Sequence, residues 1–276
     1  MRERTLLTIA GTDPWEGAGV VADLRVANAF GLSTLVLETA IVDQDPLGVY
    51  DFEPVSAGLF ERRLRRVLDR GAAQGIKIGM TADPALVEVL ARSLAGLGDA
   101  AGVCVVLDPV LAGGTPGGGK LGRGEMAQAL RALLAHTTLV TPNAQELALL
   151  AGTEVPKTVE EAERAALALL DLGAGAVLLK GGHLEPRGFD WLVRPCGTRE
   201  LVYAGEPWAV DVHGTGCHLS TAITSLLIRG EELSEACKAA SAWLHGLVAA
   251  DALIQRGAGR AQFDPRRLTP ALSHPS

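Results

Sequence analysis

Apolar and polar positions alternate along this chain in two rhythms. Short apolar runs, "TLLTIAG" (5–11), "STLVLETAIV" (33–42), "GIKIGM" (75–80), "GVCVVLD" (102–108), "TTLVTPN" (137–143) and "GAVLLKGG" (175–182), read as buried strands. Between them, helical spacing predicts helices over 17–30, 56–71, 84–97, 124–135, 144–151 and 158–172. Near-continuous apolar strands separated by helices predict a mostly parallel sheet covered on both faces. "DWLVRP" and "RELVYAG" read as a hairpin after the last parallel strand, and two closing helices follow near 215–229 and 233–254. No repeat or linker divides the 276 residues, which predicts a single domain over 1–276. After about residue 255 the apolar pattern fades, which predicts a partly loose tail.

In such a sheet, ligands gather beyond the carboxyl ends of the strands. Polar residues recur at those ends: Asp13, Gln44, Met80, Asp108, Asn143, Glu146, Lys180 and the loop 211–217. The most unusual stretch is "DVHGTGCHLSTAI", Asp211 to Ile223, in which two glycines and a cysteine precede a helical run. The N–H groups of a helix start lack internal partners, and glycines let a ligand approach them closely, so Gly214, Thr215 and Gly216 form a candidate anion hole. A cysteine placed there is expected to have a lowered pKa and to act as base or nucleophile. The motif alone also fits a glycine-rich turn capped by Thr215, with Cys217 as a small filler. A Cys–His hydrolase built with His213 has no third group in the sequence to orient the histidine.

The net charge of −7 and the absence of any basic run beyond "RRLRR" (62–66) leave no nucleic-acid footprint. No apolar segment is long enough to span a bilayer, and "MRERTLLTIAGTD" reaches Asp13 too early for a signal peptide. Four cysteines without metal-ligand spacing give no disulfide framework, so a reducing, cytoplasmic setting is expected.

Taken in order, "LTIAGTDPWEGAGVVADL", "IKIGM", "LDPV", "LVTPNAQEL", "VLLKGGH" and "HGTGCHLSTAI" resemble the hydroxymethylpyrimidine (phosphate) kinases of thiamine biosynthesis. The resemblance runs from about Leu6 to about Ala250. It implies a three-layer α/β/α ribokinase-like fold and transfer of phosphate from ATP, with Mg²⁺, to 4-amino-5-hydroxymethyl-2-methylpyrimidine and its monophosphate. By the same resemblance, Cys217 accepts the proton of the substrate hydroxyl while Gly214, Thr215 and Gly216 hold the phosphoryl group. Asn143, Lys180 and His213 serve the nucleotide, Glu146 the metal, and Asp108 the metal through water. Gly11, Ala18, Asp23, Gln44 and Met80 contact the pyrimidine. A homodimer is implied as well. A pyridoxal or pyridoxine kinase is the alternative activity, and a non-catalytic pyrimidine-binding protein is the alternative class.

Four places depart from the family pattern. Trp15 and Glu16 replace a small pair in the first loop and are expected to narrow the pocket mouth. "AGGTPGGGKLG" (112–122) carries six glycines in eleven residues and no lysine beside "DPV", Lys120 coming several residues later. This stretch is expected to be a mobile flap over the site. Asp211 and Val212 stand where polar residues are usual before "HGTGC", and the family's C-terminal ending is absent.

Overall fold

A computed structural model describes residues 4–97, 102–111, 123–182, 184–255 and 259–268. The segment 112–122 expected to form the flap lies outside the described residues. The central sheet has eight strands: β1 (Thr5–Ala10), β2 (Ser33–Glu38), β5 (Gly75–Ile78), β6 (Cys104–Leu107), β7 (Leu139–Val140), β8 (Val177–Leu179), β9 (Phe189–Val193) and β10 (Arg199–Ala204). Their order is β10-β9-β8-β7-β6-β5-β1-β2. The six strands from β2 to β8 in that order are parallel, and the expected hairpin β9–β10 closes the edge antiparallel.

Alternation along the strands feeds two cores. Leu7, Ile9, Ile76 and Ile78 point into one, shared with α2 (Ala57–Leu68), α3 (Pro84–Ala95), α4 (Arg123–Leu134), α5 (Ala144–Ala151) and α6 (Val159–Asp171). The other core lies under α1 (Gly19–Ala29), α7 (Thr215–Ile228) and α8 (Leu233–Ala249), where Phe30 meets Trp243 edge-on at 5.1 Å. Local chemistry starts several of these helices. Asp83 caps α3 ahead of Pro84, and capping boxes Asn143/Glu146 and Thr158/Glu161 open α5 and α6.

The structure corrects one sequence reading here. The apolar run 33–42 is not one strand, because it breaks at Thr39, which is fully buried. Its N–H donates to Ala10 O and its hydroxyl to Met80 O, so the chain leaves the main sheet there. Beyond it β3 (Ala40–Asp45) and β4 (Gly48–Pro54) form a separate antiparallel pair. Burial in β3 alternates, which turns Ala40, Val42 and Gln44 inward and Ile41 and Asp43 outward.

Within the stretch after 255, residues 259–268 are described: β13 (Ala261–Phe263) joins β11 (Val212–His213) and β12 (Leu253–Ile254) in a small sheet. Phe263 is 3 % exposed and its ring lies 4.5 Å from that of His218 on α7. Phe263→Ala should therefore destabilise the protein by about 3–5 kcal/mol, the range for emptying a buried aromatic site, as read by urea unfolding.

Candidate active site

One cleft of about 1210 Å³ runs along the carboxyl edge of the sheet. Gly214, Thr215, Gly216 and Cys217 lie on its wall together with Gly11, Ala18, Gln44, Met80, Asp108, Asn143, Glu146, Lys180 and His213. Every expected site residue but one thus converges there from separate strand ends.

The exception is Asp23. It is fully buried in α1, where it pairs with Lys77 and accepts hydrogen bonds from Thr8 and Thr221. It is absent from the cleft wall, so it has no contact to offer a pyrimidine. Its position in the first turns of α1 is on the inner face of the helix. Trp15 and Glu16 do not line the cleft either; Glu16 pairs with Arg25 at 2.8 Å.

Close backbone contact shapes the centre of the cleft. Gly214, at φ +82°, precedes α7, and a Cβ on it would stand 1.8 Å from Gly17 O. A Cβ on Gly19 would stand 2.3 Å from Gly11 O. Only glycine permits these approaches. They bring the α7 start, with its unpaired N–H groups and positive dipole end, against the loop after β1. That loop is organised by Asp13. Its carboxylate accepts the N–H groups of Trp15 (2.9 Å), Gly17 (2.9 Å) and Ala18 (2.8 Å), and His213 Nε2 lies 3.5 Å away. Burial pushes the Asp13 carboxyl up, but hydrogen bonding with His213, the Trp15 N–H and Gln44 outweighs it and holds the group below its usual value. Asp13 is thus the orienting partner for His213 that sequence spacing did not supply.

Cys217 sits half-buried in the first turn of α7. The expected lowered pKa is not found. Burial pushes the thiol up to about 11, even though Lys77 and the Gly19 N–H favour the thiolate. A helix start lowers a thiol pKa where water also reaches the sulfur; here desolvation dominates.

Facing Cys217 is a charged group of three. Lys180 Nζ lies 3.7 Å from Asp108 Oδ1, and Thr141 donates to the same oxygen at 3.3 Å. A Cβ on Gly216 would stand 3.1 Å from Asp108 Oδ2, so this carboxylate looks directly at the helix start. Glu146 is 5 % exposed, and its Oε2 accepts the Asn143 N–H at 2.8 Å while Asn143 Oδ1 accepts the Glu146 N–H at 2.9 Å. Burial, together with repulsion from Asp108, lifts the Glu146 carboxyl to about 7 against the pull of Lys180. Two carboxylates and one ammonium leave net negative charge among hard oxygen donors. That set suits Mg²⁺ arriving with phosphates, which binds through one or two carboxylates and keeps its waters. No cluster of three or more protein ligands occurs among the described residues.

The far end of the cleft is aromatic. Trp208 Nε1 donates to His245 Nδ1 at 2.9 Å, and His245 stacks on Tyr203 at 3.8 Å. Burial holds His245 below its usual pKa. Sequence reasoning missed this wall, in which Trp208 from the loop after β10 and His245 from α8 line the cleft and Tyr203 from β10 backs His245. No local spacing links them.

Glu146 generates a stability prediction. Its folded value, about 7, exceeds its ordinary value of 4.5, so the fold disfavours the ionised form. The penalty is absent below about pH 4.5 and complete above about pH 7. Glu146→Gln keeps an acceptor for the capping box. It should stabilise the protein by on the order of 2 kcal/mol at pH 8, and the gain should vanish at pH 4.5, as read by denaturant melts at the two pH values.

The chain resembles known proteins along most of its length. Residues 13–262 match the family model for phosphomethylpyrimidine kinase. The chain is 36% identical to a hydroxymethylpyrimidine/phosphomethylpyrimidine kinase of Rhizobium meliloti, over 92% of this chain and 94% of that protein. It is 33% identical to the protein of the same name from Escherichia coli, over 94% and 96%. Among solved structures, the phosphomethylpyrimidine kinase of Clostridium difficile superposes with a TM-score of 0.75 at 29% identity, covering 89% of this chain and all of that one. The Staphylococcus aureus pyridoxal kinase in complex with AMP-PCP and pyridoxal superposes with a TM-score of 0.81 at 28% identity, covering 96% and 94%. The fold is therefore ribokinase-like, as the sequence implied, and the chain belongs to the phosphomethylpyrimidine kinase family, a family of phosphotransferases.

Proposed function

We propose that this protein transfers the γ-phosphoryl group of ATP to the hydroxyl of 4-amino-5-hydroxymethyl-2-methylpyrimidine, and then to the monophosphate so formed, in thiamine biosynthesis. The observation that carries the reading is the glycine-flanked start of α7 at the middle of the cleft. Gly11, Gln44 and Met80 lie to one side of it, and Lys180, Asp108 and Glu146 stand opposite. The pyrimidine fits the first side. Gln44 offers both a donor and an acceptor to a ring nitrogen and its exocyclic amine, and Met80 gives an apolar, polarisable wall. The nucleotide fits the remainder, with its phosphates toward Lys180 and its base toward Trp208 and Leu244. Asn143 lies beside the phosphates, and His213 borders the anion hole.

Phosphoryl transfer asks chiefly for positioning and charge stabilisation. Mg²⁺, when bound, would neutralise charge on the triphosphate, with Glu146 as ligand and Asp108 acting through water. The N–H groups of Thr215, Gly216 and Cys217 receive the charge that develops on the phosphoryl oxygens. Cys217 accepts the hydroxyl proton. Its thiol carries a proton at rest, with a value of about 11. The competent thiolate grows about tenfold per pH unit below that value, so turnover should rise with pH above neutrality.

We place the enzyme in the cytoplasm, in keeping with four free cysteines. We also propose a homodimer. Ile41 and Leu47 on the β3–β4 hairpin, 69 % and 63 % exposed, present apolar area that pairing would cover.

An ADP-release assay with the pyrimidine, its monophosphate and pyridoxal side by side tests the activity. Both pyrimidines should be turned over with higher kcat/KM than pyridoxal. Preference for pyridoxal would assign the chain to the other activity seen among its structural relatives, and no ADP release with any of the three would leave a binding protein. Cys217→Ala should lower kcat by roughly 10²–10⁴ with nucleotide binding retained, the range for losing a general base. Gln44→Leu should weaken pyrimidine binding by roughly 1–3 kcal/mol and leave ATP affinity unchanged, as measured by calorimetry.

A further inference from the structure

Beneath the first turns of α7 lies an ion pair that no water reaches. Lys77 and Asp23 are both 0 % exposed, and Lys77 Nζ stands 2.9 Å from each carboxylate oxygen of Asp23. The Thr8 hydroxyl donates to Oδ2 of that carboxylate and the Thr221 hydroxyl to Oδ1 at 2.7 Å. Four elements therefore meet at one point: β1, α1, β5 and α7. Thr8 and Lys77 are register partners on adjacent strands. The neighbours Ile76 and Ile78 point into the opposite core, so alternation turns Lys77 toward α7.

A buried pair of this kind is seldom retained for stability, since desolvation consumes most of what attraction returns, and apolar side chains of similar volume hold such a layer as well. Its position suggests another reason. Thr221 is one helical turn beyond Cys217, so the two share a face of α7, and that face looks onto the pair. Among the groups that act on the Cys217 sulfur, the Lys77 ammonium is the strongest that favours negative charge, helped by the Gly19 N–H. Asp23 from α1 and Asp108 beyond β6 oppose it. Burial pulls the Lys77 pKa down, but Asp23, Cys217 and Asp108 together outweigh it and hold the group above the ordinary lysine range, so the ammonium is a permanent charge.

We propose that Lys77 is a positioning residue for phosphoryl transfer: its buried ammonium, held by Asp23, is the fixed positive charge that stabilises the Cys217 thiolate at the anion hole. This deepens the functional reading and rests on it in taking Cys217 as proton acceptor. The step balances without any change at Lys77. The substrate O–H bond breaks and an S–H bond forms on the Cys217 thiolate. The oxygen bonds to phosphorus as the bond from phosphorus to the ADP oxygen breaks. Lys77 keeps its proton throughout.

The test removes both charges together, so that neither is left orphaned. Lys77→Met with Asp23→Leu is the apolar pair, and Lys77→Gln with Asp23→Asn keeps hydrogen-bonding groups in case the apolar pair fails to fold. Thermal melts and ADP affinity check folding. Alkylation of Cys217 by iodoacetamide is followed by peptide mass spectrometry across pH, alongside kcat and KM for the pyrimidine. Because Lys77 acts on the sulfur more strongly than Asp23 opposes it, the midpoint of alkylation should move upward in both pairs. The rising limb of kcat against pH should move with it, kcat near neutrality should fall at least threefold, and KM should hold. A folded variant with an unchanged alkylation profile, or with a shifted profile and unchanged kcat, overturns the proposal. Alkylation reads the influence of Lys77 on the sulfur whether or not Cys217 takes the proton. Failure of the base assignment would instead show as near-normal turnover in Cys217→Ala, so the two failures are distinguishable.

Discussion

The site depends on backbone touching backbone. Gly214 abuts the carbonyl of Gly17, and Gly19 abuts that of Gly11, at separations where a single methyl group would collide. These contacts lock the start of α7 to the loop after β1. Asp13 then fixes that loop by taking three of its N–H groups and standing beside His213, which leads into Gly214. The start of α7 and the Gly11 end of the cleft are therefore built on one rigid unit, so a shift of either would move the other.

The charges around this unit are arranged for a ligand more than for the free protein. Asp108 and Glu146 are both buried and repel, and Lys180 compensates only in part. Glu146 meanwhile has a local duty, closing a capping box with Asn143 at the start of α5. The same carboxylate starts a helix and is lifted to about 7 by burial and by Asp108, so holding it charged costs the fold something. Cys217 shows the same tension, since burial keeps its thiol protonated while the helix start and Lys77 favour the thiolate.

Much of this was legible along the chain. Alternation and helical spacing gave the parallel sheet, the hairpin β9–β10 and all eight helices within a few residues. The polar strand ends gave the cleft, because chain direction in a parallel sheet sends every carboxyl end to one edge. The break at Thr39 was not legible. A buried threonine inside an apolar run carries no local turn signal, and the departure of β3 is set by hydrogen bonds to Ala10 and Met80, the second of them 41 residues away. Phe263 was missed for a related reason. It is an isolated aromatic in a polar stretch, and its burial follows from pairing between β13 and β11.

The sequence by itself determined the fold class, the family and most of the residues that gather at the cleft, since these follow from periodicity and from motifs read in order. Tertiary structure alone decided what each of them faces. Asp23 belongs to a motif beside the pyrimidine loop, yet the register of β1 with β5 places Lys77 opposite it and turns the pair into the core. Cys217 stands at a helix start that should acidify a thiol, yet the burial that comes with packing α7 on the sheet outweighs that effect and raises the value to about 11. Spacing along a chain fixes which residues can share a face, whereas desolvation and charge depend on neighbours that only the folded chain brings together.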